Sequence, residues 1–375
     1  MPPGKVNYSA HGAGHLKILE ESVITAQNSS RLMKKIVYLS IALVGFGNFA
    51  YADGFDDKDF SLRFPAALSR FSSYADVAAT GGASAGSKWQ SSVNPASIAW
   101  QSIPGRYHLS LSPQYSAIMF QEGTVLHVIS ESVTKEFEKF GTLQVSLAQV
   151  RSNERAIQAP LPDYKFSYDM NYAQAQWGKR VTDDFALGGN FNYSSSEVIN
   201  KIGTEKYLDS SSDSYGVRVG ALYRIAEKLL GGVVVDYSWS PSKTTTYDIF
   251  GWGIGDVRVD DKTTQFTLRT GPSYEYRKDS TVNLDYQYGS FKNDTGKMEV
   301  HRMFAGIDHR IVDALFVRGG IALDNNGNTA WTCGLGIYPL KQLSIDVGYQ
   351  YDMFPEIQSE FGRSNLLTIS ISLIL

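Results

Sequence analysis

The chain has 375 residues and a formal net charge of −3, a near balance of acidic and basic side chains that argues against a nucleic-acid partner. Its single cysteine, Cys333, excludes an intramolecular disulfide, and its six histidines show no metal-ligand spacing. Mean hydropathy is negative, yet Tyr, Phe and Gly are abundant, the composition of a wall that is apolar outside and polar inside or of a large secreted soluble β-protein.

Residues 1–32 look unlike the rest of the chain and are read as an upstream extension without a structural role. Met33-Lys34-Lys35 then opens a basic start, an apolar run from Ile36 to Phe49 and Ala50-Tyr51-Ala52, so 33–52 reads as a secretory signal peptide cleaved before Asp53. The apolar run is interrupted by Gly45 and Gly47 and is shorter than the roughly 20 residues that a spanning helix needs. No later run reaches that length, so a mature chain that crosses a membrane must do so as a closed barrel.

Residues 53–104 hold Gly81-Gly82-Ala83-Ser84-Ala85-Gly86, Trp89, Asn94-Pro95-Ala96-Ser97 and Trp100. A loose periplasmic tail would leave Phe64, Leu68, Phe71, Trp89, Ile98 and Trp100 exposed, so the segment is expected to fold compactly inside a lumen as a plug. Gly81 to Lys88 has the flavour of a phosphate loop, but Ser87 and Lys88 stand in the wrong order and no strand–helix context comes after them.

From 105 to 375 the sequence alternates apolar and polar residues in runs joined by tight polar turns, clearest through Arg224–Lys228, Arg277–Ser280 and Pro339–Gln342. This predicts an all-β fold, a transmembrane antiparallel β-barrel of 14 strands near 106–119, 122–132, 140–151, 164–177, 184–196, 214–224, 230–240, 263–276, 280–290, 297–309, 313–324, 329–338, 342–352 and 365–375. Twelve strands is the alternative, because His127, Glu131 and Glu136 blur the first runs. Short turns fall after even strands. Long loops at 152–163, 197–213, 241–262, 291–296 and 353–364 fall after odd ones and are expected to be extracellular. Phe191 and Tyr193, Tyr237 and Trp239, Tyr286 and Tyr288, and Tyr349 and Tyr351 share an outward phase and predict an outer aromatic girdle, with Tyr223, Tyr274 and Tyr276 in the opposite one. Leu343, Ile345 and Val347 should face lipid, whereas Asp346, Arg318, Asp169, Asp236, Asp285 and Asp308 should face inward. The chain ends Leu367 to Leu375 as a strand, which predicts the barrel assembly machinery as a partner, although Leu375 stands where an aromatic residue is commoner.

Small residues from Ala78 to Gly86, then Trp89, then Asn94-Pro95-Ala96, then strand entry at Tyr107-His108-Leu109-Ser110-Leu111 together resemble the FadL-type outer-membrane transporters of long-chain fatty acids and aromatic hydrocarbons. The sequence departs from that family at Ser91-Ser92-Val93, where an aromatic is usual, at Ser97, often Gly, and in its shorter length, which implies smaller outer loops. The resemblance implies a Gram-negative outer-membrane channel for passive uptake of hydrophobic molecules, in contact with outer-membrane lipid and lipopolysaccharide, with an N-terminal hatch and no cofactor. It also implies ligand contacts at Asn94, Pro95 and Ala96. Inward-phase Arg218, Arg269, Arg302 and Arg318 are candidates to hold a carboxylate, with an Arg/Asp network as the competing role for each. Tyr247, Ile249, Phe250 and Trp252 form a candidate capture patch in the longest outer loop, with loop packing as its alternative. His108 beside Ser110 and Ser112 has poor geometry for a hydrolase, so no catalysis is expected. A general porin, or a scaffold or sheath for a secretion or electron-transfer complex, is the alternative function.

Overall fold

The computed structural model describes residues 60–88, 92–100, 109–153, 155–156, 164–249, 255–340 and 342–375. The expected extension and signal peptide, Trp89, Phe250 and Trp252 lie outside them. Fourteen long strands form: β1 (Leu109–Phe120), β2 (Val125–Phe137), β3 (Gly141–Ser152), β4 (Tyr164–Arg180), β5 (Phe185–Ile202), β6 (Glu205–Ala226) and β7 (Leu229–Thr246) in the first half. The second half adds β8 (Val257–Arg277), β9 (Ser280–Lys292), β10 (Lys297–Val312), β11 (Leu315–Asp324), β12 (Thr329–Leu340), β13 (Leu343–Tyr351) and β14 (Ser364–Ile374). Each pairs antiparallel with the next, and β14 returns to β1, with Ser110 opposite Ile374 and Phe120 opposite Ser364, so the ring closes. A two-residue strand, Arg155–Ala156, rides on β4.

Alternation fixes which face meets lipid. Along β13 and β14, Val347, Tyr349, Ile369, Ile371 and Leu373 are exposed, whereas Asp346, Gln350, Thr368 and Ser370 are buried. Exposed valines, leucines and isoleucines recur on β6, β7 and β12, including Val217, Val219, Val233, Val235, Leu335 and Ile337. An apolar band of this extent on a closed barrel is the surface that a bilayer covers. The expected aromatic girdle residues point outward, Phe191, Tyr193, Tyr237, Tyr286, Tyr349 and Tyr351 among them. No described helix is long and apolar enough to cross a membrane.

Three expectations about the strands and their hairpins are corrected. The loop placed at 197–213 is the far end of a hairpin, in which β5 and β6 continue pairing until Ile202 faces Glu205. The loop placed at 241–262 is likewise shortened from both sides, since Thr246 still pairs with Val257. Third, Asp169 faces outward with its register partner Arg151, the pair joined at 3.1 Å. In that stretch of β4 the apolar side chains Phe166, Tyr168 and Met170 turn inward.

The described residues from 60 to 88 and from 92 to 100 lie inside the ring. They form helix α1 (Phe60–Leu68), helix α2 (Ala75–Ala79) and a 3-10 turn (Pro95–Ala99). Tyr74 Oη donates to Ser132 of β2 at 3.1 Å and accepts from Gln144 of β3 at 3.0 Å. Thr332 of β12 donates to the Ala79 carbonyl at 2.9 Å. The segment approaches the wall where the wall has no side chains. A methyl group at Gly188 of β5 would overlap the Pro95–Ala96 peptide, and one at Gly232 of β7 would overlap the Ala85 carbonyl. Gly306, Gly320 and Gly348 receive the backbone at Thr80 and Ala75 in the same way.

The connection between β13 and β14 also runs inward. It forms a 3-10 turn (Pro355–Ile357) and a short helix α3 (Gln358–Phe361), and it buries Met353, Phe354, Ile357 and Phe361. The expected long polar loop at 353–364 is thus largely apolar and folded inward, because its apolar residues join one cluster with Ile118, Phe120, Leu126, Val128, Val150, Phe166 and Tyr168.

Candidate functional site

A cavity of about 1270 Å³ lies between α1, the inner face of the barrel and the inturned β13–β14 connection. One side is aromatic and aliphatic. Phe64 meets Tyr168 edge-on with ring centres 5.3 Å apart, and Phe361 packs on Phe120 at 5.0 Å and on Phe166 at 5.3 Å. The facing side, from β5 to β8, carries serine and threonine at successive inward positions. A pocket of this size with a continuous apolar wall suits a drug-sized apolar ligand.

The four candidate arginines all point inward, and each is tied to a carboxylate. Arg218 Nε donates to Asp236 at 2.6 Å and its Nη1 to the Ser92 carbonyl at 2.8 Å. Arg269 Nε donates to Asp285 at 2.9 Å, with its guanidinium 4.1 Å from the Phe304 ring centre. Arg318 Nε donates to Asp308 at 3.0 Å and Nη1 to Asp346 at 2.5 Å. Arg302 donates to Glu356 at 2.5 Å, to Ser69 at 2.7 Å and to the Ala66 carbonyl at 2.8 Å. Arg218 and Arg269 border the cavity; Arg302 and Arg318 do not.

Arg302 belongs to a buried ionic cluster that joins three parts of the chain. Arg70, just after α1, donates through Nε to Glu356 and through Nη2 to Asp324, both at 2.8 Å. Glu356 therefore sits between two arginines with its side chain fully buried. Burial alone would raise this carboxyl, but Arg70 and Arg302 hold it below the usual glutamate value. Arg63 of α1 adds a second tie to the same connection, donating to Ser359 and Glu360 at 2.8 Å each.

Asn94, Pro95 and Ala96 are completely or almost completely buried and do not border the cavity. Asn94 Nδ2 donates to the Ala85 carbonyl at 2.7 Å and to the Ala221 carbonyl of β6 at 3.0 Å, while its Oδ1 accepts from Ala96 N at 3.0 Å. The motif thus caps the 3-10 turn and ties it to the wall. Tyr247 and Ile249 are half-buried beyond the end of β7 and also lie away from the cavity. Phe60, Phe166, Tyr168 and Phe361, which do build it, were not singled out by sequence reasoning.

Asp285 shows how the inner segment is fastened. One carboxylate oxygen accepts from Ser84 N at 2.7 Å, Ala85 N at 2.8 Å and Arg269 Nε. Hydrogen bonds to a charged group contribute about 1.5–3 kcal/mol each. Asp285→Asn should therefore accelerate amide exchange at Ser84 and Ala85 by more than tenfold, measured by hydrogen–deuterium exchange, while Asn94 keeps its own contacts.

No family model and no curated protein matches this sequence. Solved structures do match in shape. The CymD monoaromatic hydrocarbon channel is 13% identical, with 80% of this chain and 97% of that one covered at a TM-score of 0.53. The Ralstonia pickettii toluene transporter TbuX is 11% identical over 80% and 97% at 0.53, and a Pseudomonas aeruginosa FadL homologue is 12% identical over 80% and 97% at 0.51. The chain therefore has the fold of the FadL-type outer-membrane channels.

Proposed function

We propose that this protein is an outer-membrane channel for passive uptake of hydrophobic small molecules, of the long-chain fatty acid or hydrocarbon kind. The observation that carries this reading is the cavity walled by Phe64, Phe166, Tyr168 and Phe361 inside a barrel with a lipid-facing exterior. A water-filled pore gives an apolar solute no reason to leave the membrane, whereas an apolar pocket does. The shape shared with channels described as toluene and monoaromatic hydrocarbon transporters supports the same reading. The inner segment, fastened to strands on opposite sides of the ring, argues against a general porin or a sheath, since both need an open lumen.

The test is uptake by cells that carry the protein in the outer membrane. Phe64→Asp places a charge on the cavity wall and should lower uptake of labelled toluene and of a labelled fatty acid at least tenfold, with heat-modifiable barrel mobility on gels unchanged. Equal uptake by cells with and without the protein would sink the proposal.

A further inference from the structure

We propose that the cavity selects an uncharged amphiphile, a molecule with an apolar chain or ring and a neutral, hydroxyl-rich head. This rests on the channel reading above and ranks its hydrophobic substrates, placing a neutral-headed molecule ahead of a plain hydrocarbon or a free carboxylate. The first observation is the division of the cavity into two unlike walls. Against the aromatic side stands a ladder of hydroxyls in cross-strand register: Ser194 faces Ser214, Ser212 faces Ser242 and Ser240 faces Thr263. Ser240 donates to Ser214 at 2.8 Å, and each hydroxyl so engaged retains acceptor capacity. The Ser194 hydroxyl has no hydrogen-bond partner among the described residues. Ser212 and Ser242 already donate to the Pro241 and Asp261 carbonyls at 3.1 and 3.4 Å, so a pure hydrocarbon would leave the Ser194 hydroxyl and the remaining acceptor sites of the ladder unfilled, whereas a neutral polar head would fill them.

The second observation is charge. Arg218 and Arg269 on the cavity wall are matched by Asp236 and Asp285, and Arg70 by Asp324 and Glu356. Arg70 Nη1 has no partner but is sealed from solvent. No lysine appears among the described lining residues, whereas Asp261, Asp294 and Glu360 do. A carboxylate entering here finds no unmatched cation, and the desolvation of its charge goes uncompensated. A cationic head would meet Asp261 and Asp294 and is the competing outcome.

The experiment uses the full mature protein in amphipol and three probes with one chain length: octyl glucoside, octanoate and octylammonium, each below its micelle concentration. Isothermal titration should give octyl glucoside a Kd at least tenfold lower than either ion. Ser214→Val with Ser240→Val should erase that preference, with heat-modifiable barrel mobility on gels unchanged. Ser214→Thr with Ser240→Thr, which keeps the hydroxyls at similar bulk, should retain it. An ion that binds as tightly as the glucoside, or a preference that survives the valine pair, overturns the inference. If toluene still binds in that case, the channel reading stands; if neither toluene nor the glucoside binds, both fall.

Discussion

Glu356→Gln should release the β13–β14 connection and α1 from each other and from the wall. The glutamate lies between Arg70 and Arg302 with no exposure of its side chain, and a neutral amide leaves two buried guanidinium groups facing Asp324 alone. Breaking a buried ion pair from one side costs about 3–5 kcal/mol, because the surviving charge stays desolvated and unmatched. The expected result is new protease cleavage between Met353 and Ser364 and a lower melting temperature for the inner segment, with the fourteen-stranded wall still resistant. Arg302→Met combined with Glu356→Leu should be less damaging than Glu356→Gln, since removing both charges removes the unmatched one. If the single variant proves as stable as the parent, the cluster does not hold these elements together.

The same cluster sets a direction for pH. Glu356 is held below its ordinary value in the folded protein, so the stability that its charge supplies is present above the unfolded-state glutamate value of about 4.3 and is lost as the pH falls through the lower folded-state value. The inner elements should therefore loosen on acidification, and the Glu356→Gln protein should show a weaker dependence over that window.

The sequence disclosed the wall better than its contents. Alternation works where one face meets lipid and the other a polar lumen, so Leu343 to Tyr351 and Leu367 to Leu373 could be assigned face by face. Beyond the aromatic girdle that rule inverts. On β4 the outward Ser167, Asp169 and Asn171 are polar, while the inward Phe166, Tyr168 and Met170 line an apolar cavity, so a uniform reading put Asp169 on the wrong side. The connection 353–364 departs from its expected polar character for a related reason. Its phenylalanines and Ile357 are spaced irregularly among polar residues, and only the partners Phe120 and Phe166, far away in sequence, decide that they are buried. One legible signal was passed over. Glycines at inward positions of long strands, such as Gly188, Gly232, Gly306 and Gly348, mark where another backbone touches the wall.

That signal yields the second large prediction. Gly188→Val combined with Gly232→Val should unseat the inner segment from an otherwise complete barrel. At both positions the nearest obstacle is backbone, the Pro95–Ala96 peptide and the Ala85 carbonyl, so no side-chain rotation relieves the clash. Each substitution favours β-strand formation in the wall, and overpacking costs about 1–3 kcal/mol per site, additive for separated sites. With about 1.4 kcal/mol per factor of ten, the pair should raise the undocked population by roughly thirtyfold to twenty-thousandfold. Proteoliposomes carrying the double variant should swell in a small sugar that the parent excludes, and single-channel conductance should rise. Gly189→Val is the control, because the neighbouring residue has nothing within 4 Å of an added methyl group and should change neither readout. If the double variant stays closed, the inner segment is not what blocks the lumen. If it opens while Gly189→Val does not, the row of inward glycines is the seat on which the segment is held.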